Sequence, residues 1–282
     1  MKMRRTNTYN VNLTQTMNIP RMLKANLDAA DNLLDFFLTK KKINKDSLLT
    51  ALNHVILNYQ EDHTEVLKQF PINVDEKWKH LHELPDLTDL FKSVFLTNIN
   101  FKSYADKIED GKVELKMEDA VPGYYLCEFC VAKAVSEVIP SETAIEYIQE
   151  YTKLTHSRPN PRRKSFDKLS EFREWLEPLC KDSHEFISEI EEDESEYRFY
   201  VTKCWWAQAL QKYGDTEIFT AMICDGDFTT TGLYNENFIL TRNKTRMGEN
   251  LGQDCCDFCY HDKRKKNEIS HLNEEKWEEM KK

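Results

Sequence analysis

Cys224 to His261, CDGDFTTTGLYNENFILTRNKTRMGENLGQDCCDFCYH, gathers four of the chain's eight cysteines and four of its seven glycines into 38 residues. Thiols supply nucleophiles or buried apolar groups, and glycines let a backbone approach closely or turn sharply. Asp225 and Asp227 flank Gly226; in an extended chain, alternation puts both carboxylates on one face and Cys224 on the other. Paired carboxylates can divide acid and base roles, because each raises the other's pKa, and an exposed Asp-Gly-Asp turn is the alternative use. Arg242 follows the apolar run Phe238-Ile239-Leu240 and can offer a two-pronged guanidinium to a carboxylate. Cys256-Asp257-Phe258 sets a thiol beside a carboxylate at a strand start. Neighbours on a strand face opposite ways, so the acid or base serving Cys256 can equally be Asp227.

Two Cys-x-x-Cys pairs, Cys127/Cys130 and Cys256/Cys259, have the ligand count for one tetrahedral zinc. The spacing argues against it, since a strand sends residues three apart to opposite faces. No nucleotide-binding loop, dinucleotide fingerprint or histidine-rich metal set is present, so no cofactor and no metal is expected.

The elements that must carry these residues follow from periodicity. The runs MLKANLDAADNLLDFFLT and SLLTALNHVILNYQEDHTEVLKQF read as amphipathic helices, the second capped at Asp46 and ended by Pro71. DLTDLFKSVFL, YYLCEFCVAKAVSEVI and ETAIEYIQEYTKL add helices, the last with Thr143 and Glu146 at capping-box spacing; Pro122-Gly123 and Pro140 punctuate them. HSRPNPRRK reads as a surface connection, and Phe166, Leu169, Phe172, Leu176 and Leu179 mark one face of a further helix. HEFISEI and EYRFYVTKC then alternate as an antiparallel hairpin, WWAQALQKYG reads as a short helix stopped at Gly214, and FILTRNKTRM and CCDFCYHDK as two strands joined by a turn from Gly248 to Gly252. The tail LNEEKWEEMKK reads as a short solvated helix. The class is α+β: an N-terminal helical layer, then an antiparallel sheet with an inserted helix. The expected division is a mostly helical region over 1–160, an α+β region over 161–270 and a tail over 271–282, within what can be one integrated domain.

Composition sets outer limits. A formal charge of −10 supplies no field for phosphate, so no nucleic-acid partner is expected. No run of about 18 apolar residues or secretory apolar core occurs, which points to a cytoplasmic chain without membrane partners and with reduced thiols. Eight cysteines in 282 residues are too sparse for a disulfide scaffold.

VTKCWWAQAL, then CDGD, then NENFILTRNKTRMGENLGQDCCDF occur in an order that resembles the L-2-amino-thiazoline-4-carboxylic acid hydrolase family over residues 198–260. The doubled Cys255-Cys256 and the extra Cys259 depart from that pattern. The resemblance implies hydrolytic opening of a small cyclic amidine to N-carbamoyl-cysteine, and it carries over Cys204, Cys224, Asp227, Arg242, Thr245, Gly248, Cys256, Asp257 and Phe258. In that scheme Cys256, Asp227 and Asp257 are catalytic. The Cys256 thiolate, or water activated by Asp227, attacks the amidine carbon, Asp257 protonates a leaving nitrogen, and Arg242 holds the substrate carboxylate. Thr245, Cys204, Cys224 and Phe258 complete the pocket. A non-catalytic small-molecule sensor, and a tailoring enzyme acting on another thiazoline or amide, are the competing readings.

Overall fold

The computed structural model describes residues 2–6, 9–61, 63, 77–251, 253–266 and 268–281; Pro71 and Gly252, which bear on a helix stop and a turn above, lie outside them. The chain is 57 % helix and 15 % strand, with antiparallel sheets, so it is α+β. It divides into two compact units, Thr14–Tyr151 and Met1–Leu13 with Thr152–Lys282. The strand Lys2–Thr6 (β1) belongs to the latter.

In the unit Thr14–Tyr151, the strand Thr14–Asn18 (β2) leads into the helix Ile19–Asp35 (α1), where the Asn18 side chain accepts a hydrogen bond from the Arg21 amide at 2.9 Å. The helix Lys45–Leu57 (α2) is capped by Asn44, which accepts from the Ser47 amide at 2.9 Å. Asp46, read as the cap, instead stands in the first turn, where a carboxylate favours the positive end of the helix. Next come the helix Pro85–Asn98 (α3), the strand Lys112–Lys116 (β3), which pairs antiparallel with β2, and the helix Met117–Val138 (α4). Pro122-Gly123 does not separate two helices: α4 runs through both, and the Asn26 side-chain amide donates to the Gly123 carbonyl at 2.6 Å. Cys127 and Cys130 are buried in α4, and burial pushes both thiols up. The helix Ser141–His156 (α5) begins two residues before Thr143, because the Pro140 carbonyl accepts the Ala144 amide at 3.0 Å; the capping-box spacing is not used.

The other unit is built on a five-stranded antiparallel sheet, with strand order β1-β4-β5-β7-β6. The helix Leu169–Cys180 (α6) precedes the hairpin His184–Ile190 (β4) and Glu196–Cys204 (β5). The helix Trp205–Leu210 (α7) follows, and Gly214 ends that segment at φ +72°, a backbone conformation suited to glycine. The helix Gly226–Tyr234 (α8), the strand Phe238–Thr241 (β6), the central strand Cys256–Asp262 (β7) and the helix Glu274–Lys281 (α9) complete it. The expected hairpin and the strand read from CCDFCYHDK therefore stand where periodicity put them, with β1 added at one edge; of FILTRNKTRM only Phe238–Thr241 is strand, because the chain then leaves the sheet and Arg246–Leu251 forms a 3₁₀ segment.

Two apolar clusters lie on the two faces of this sheet. Tyr197, Phe199 and Val201 of β5 and Cys256 and Tyr260 of β7 pack with Leu169 and Phe172 of α6. Tyr200, Cys255 and Cys259 point the other way, against Trp277 and Met280. The tail helix is thus not solvated all round; it covers one face of the sheet. Leu179, assigned to the buried face of α6, is 61 % exposed, since the helix turns it away just before its end.

Candidate functional site

Cys224 and the acidic pair are helical, not extended. A π-helical turn, Thr220–Cys224, runs into α8 through Asp225, whose backbone keeps helical angles (φ −73°, ψ −15°). Two carboxylates at the start of a helix are favoured by its positive end, a second meaning of Asp-Gly-Asp that overrides the strand reading. The two still converge, because Arg242 gathers them: its guanidinium reaches Asp225 at 3.0 Å, Asp227 at 3.3 Å and the Cys224 carbonyl at 3.0 Å. Its side chain is only 3 % exposed and lies over the rings of Phe228 and Phe258 at 4.9 and 5.3 Å. The expected bidentate arginine therefore exists, but it clamps carboxylates of its own chain.

Around this clamp stand three thiols. Cys256, at the start of β7, accepts the Arg246 amide at 3.0 Å, and Thr245 Oγ1 lies 3.8 Å from Cys224 Sγ. Thr245 also accepts the Met247 amide at 3.0 Å, while the Gln253 side chain accepts the Thr245 amide at 2.9 Å. The Gln253 side chain also packs on Gly248, where a Cβ would meet its Oε1 at 2.6 Å. Burial pushes Cys224 up to about 12 and Cys256 well above the ordinary thiol range; Cys204 and Cys224 add to the rise at Cys256, the Arg246 amide and Arg242 oppose it, and burial prevails. All three thiols are therefore protonated at neutral pH.

Asp227 behaves differently from a surface acid. Its side chain is 46 % accessible, yet burial is the largest influence on its carboxyl, which is raised even though Arg242, His156 and His184 pull it down. Cys204 and Cys224 share this character, being partly accessible while burial raises both. Asp227, Cys204, Cys224, Cys256, Arg242, Thr245 and Phe258 are thus brought together. His156 and His184 were missed; both come from segments remote in sequence, and neither is marked by a local motif. His184 stacks on Trp206 at 5.6 Å, and its Nδ1 lies 2.8 Å from Ser183 Oγ.

Asp257 is not in this group. Alternation along β7 turns it to the opposite face, where its carboxylate accepts the Asn243 and Lys244 amides at 3.0 and 2.7 Å and lies 3.0 Å from His271 Nε2. The same alternation puts Cys256 and Cys259 in different clusters, so they do not converge on one ion. Among the described residues, Glu196, Cys259 and His261 bring donor atoms within 4.8 Å of one another. Arg198 and Lys266 already occupy the Glu196 carboxylate at 2.7 and 2.8 Å, which favours a buried polar network over a metal site.

The fold and these side chains together define an α+β protein with thiols and a carboxylate pair grouped about Arg242 on one face of an antiparallel sheet. Within that class, residues 123–260 match the family model of L-2-amino-thiazoline-4-carboxylic acid hydrolase, just under half of the chain, and the resemblance carried by the motifs is thereby shown. The match begins well before the motif-bearing stretch, inside α4. No curated protein and no solved structure gives a significant match. Among the described residues, no helix is long and apolar enough to cross a membrane.

Proposed function

We propose that this site hydrolyses a small cyclic amidine of the 2-amino-thiazoline-4-carboxylate type, with Asp227 as general base. The observation that carries this reading is the state of Asp227: accessible, enclosed, with a raised pKa, and oriented by a buried arginine. A base whose pKa moves toward the working pH is better matched to proton transfer.

In this scheme water adds its hydroxyl to the ring carbon between nitrogen and sulfur of the protonated amidine, and its proton passes to Asp227. The carbon–sulfur bond then breaks, sulfur takes the electron pair and recovers the proton from Asp227, and the protonated urea sheds its own proton to solvent. One water is consumed and N-carbamoyl-cysteine is the product. Because sulfur leaves, no acid is needed at a ring nitrogen, which agrees with the position of Asp257 on the other face. Cys204, Cys224 and Cys256 act as neutral, polarisable walls for a sulfur heterocycle.

The experiment is hydrolysis of 2-amino-thiazoline-4-carboxylate in ¹⁸O-water, followed by mass spectrometry. The expected result is one ¹⁸O in the urea carbonyl, with Asp227→Asn slowed by about 10² or more. Normal turnover in Asp227→Asn would overturn the assignment of the base, and binding without turnover by the wild-type protein would point instead to a sensor module.

A further inference from the structure

Arg242 cannot easily serve the substrate's carboxylate, since Asp225, Asp227 and the Cys224 carbonyl already occupy its guanidinium. An acid substrate needs another cation. The sequence HSRPNPRRK, a surface connection by composition, forms one wall of a cavity of about 470 Å³ whose lining includes His156, Arg162, Arg163, Lys164, Trp175 and Tyr234. That volume lies in the range of small-molecule sites.

Three features set this cavity apart. First, its cations are uncommitted. Several basic residues of the unit sit on carboxylates: Arg173 on Glu177, Arg198 on Glu189, Lys203 on Glu185, Arg264 on Asp262. Among the described residues, Arg162, Arg163 and Lys164 have no carboxylate in salt-bridge reach; Arg163 donates only to the His156 and Arg158 carbonyls, at 2.8 and 3.3 Å. In a chain of net charge −10 such a concentration is a local field of the opposite sign, which draws anions. Second, Trp175 and Tyr234, 5.2 Å apart between ring centroids, supply aromatic walls for a flat ring. Third, the cavity reaches the helix that carries Asp227. Thr230 and Tyr234 line it from α8, the helix whose first turn carries Asp227, and the His156 ring packs so closely on Gly226 that a Cβ there would lie 2.5 Å from Nε2. His156 Nδ1 is held 2.9 Å from the Thr152 carbonyl, which fixes the ring in this position.

We infer that the cavity bounded by Arg162, Arg163, Lys164, His156, Trp175 and Tyr234 is the anion-recognition subsite of the Asp227 site, holding the carboxylate of a planar organic acid while its reactive carbon lies toward Asp227. This inference rests on the hydrolase reading for the identity of the acid, and on the cavity alone for the preference for anions. Arg162 and Lys164 are exposed loop residues, so Arg162→Gln/Lys164→Gln removes two charges without touching a core.

Two measurements test it. Saturation-transfer NMR with benzoate and benzamide is expected to show contact with benzoate only, lost in the double variant and weakened by salt. Turnover of 2-amino-thiazoline-4-carboxylate by the same variant is expected to show KM raised about tenfold or more, kcat changed little, and an unchanged melting temperature. Capture of benzoate that the double substitution abolishes, with no turnover by wild-type protein, would keep the subsite and remove the hydrolase reading. Turnover with KM unchanged in the variant would do the reverse. Equal contact with benzoate and benzamide, or none with either, overturns the subsite.

Discussion

At the scale of single residues the site is a contest between burial and charge. Burial wins at Cys256, which is raised well above an ordinary thiol, and it also wins at Asp227, although Arg242 lies 3.3 Å away. The two groups therefore predict opposite pH profiles. If ionised Asp227 is the working base, kcat/KM rises with pH through its raised pKa, above the ordinary aspartate value, and then levels off. If the Cys256 thiolate were the nucleophile, the rate would keep rising beyond about pH 9. A profile from about pH 4 to pH 10 is expected to show the plateau, and Cys256→Ser is expected to keep measurable turnover. Arg242 gives a second expectation. Replacing it with Met strands two carboxylates; because both are partly exposed, the loss is expected to be about 2 kcal/mol in urea unfolding, with the acid limb of the pH profile moved upward.

The elements explain why this geometry was only partly legible in the sequence. Periodicity located the β4–β5 hairpin, the start of β6, β7 and the helices α6 and α7, since their apolar faces are buried as the patterns require, but it did not find α8. Alternation alone foretold that Cys256 and Asp257 part company. It misled at Asp225-Gly226-Asp227, where the short run carries no period and Asp-Gly-Asp reads equally well as a turn or a helix start. His156, His184 and the basic loop were illegible as site members because tertiary packing brings them there. Gly226 shows that dependence: with the His156 ring against it, Gly226→Ala has no room and is expected to cost about 1–3 kcal/mol and to disturb the anion subsite, read as a lowered melting temperature with raised KM. Asp257→Asn tests the opposite face. Its carboxylate holds two amides at the β6–β7 connection, so the expected result is a stability loss of about 1–3 kcal/mol with an unchanged shape of the pH–rate profile.

Across the whole molecule, the response of stability to acid sums groups of opposite sign. Burial would raise Glu196, but His261, Lys266 and Arg198 outweigh it and hold it far below the usual carboxylate range. Its stabilising contribution is complete above its unfolded pKa and is lost as pH falls through the folded one. Glu185, tied to Lys203, and Asp262, tied to Arg264, act in the same direction. Asp227 is the exception: its folded pKa lies above the unfolded value, so ionised Asp227 costs stability above the folded pKa, and that cost vanishes as pH falls to the unfolded value. A carboxylate kept at the expense of stability is what a catalytic base would be, whereas Glu196 is what a structural acid would be. Melting curves recorded across pH should separate the two. Glu196→Gln is expected to lower the melting temperature at neutral pH and flatten the acid limb, because Lys266 loses its charge partner and Arg198 one of its carboxylates. Asp227→Asn is expected to raise it at neutral pH, with the gain shrinking to nothing on acidification. A loss of stability at neutral pH in Asp227→Asn would show that Arg242 needs this carboxylate more than burial penalises it, and would remove the raised pKa on which its role as base depends.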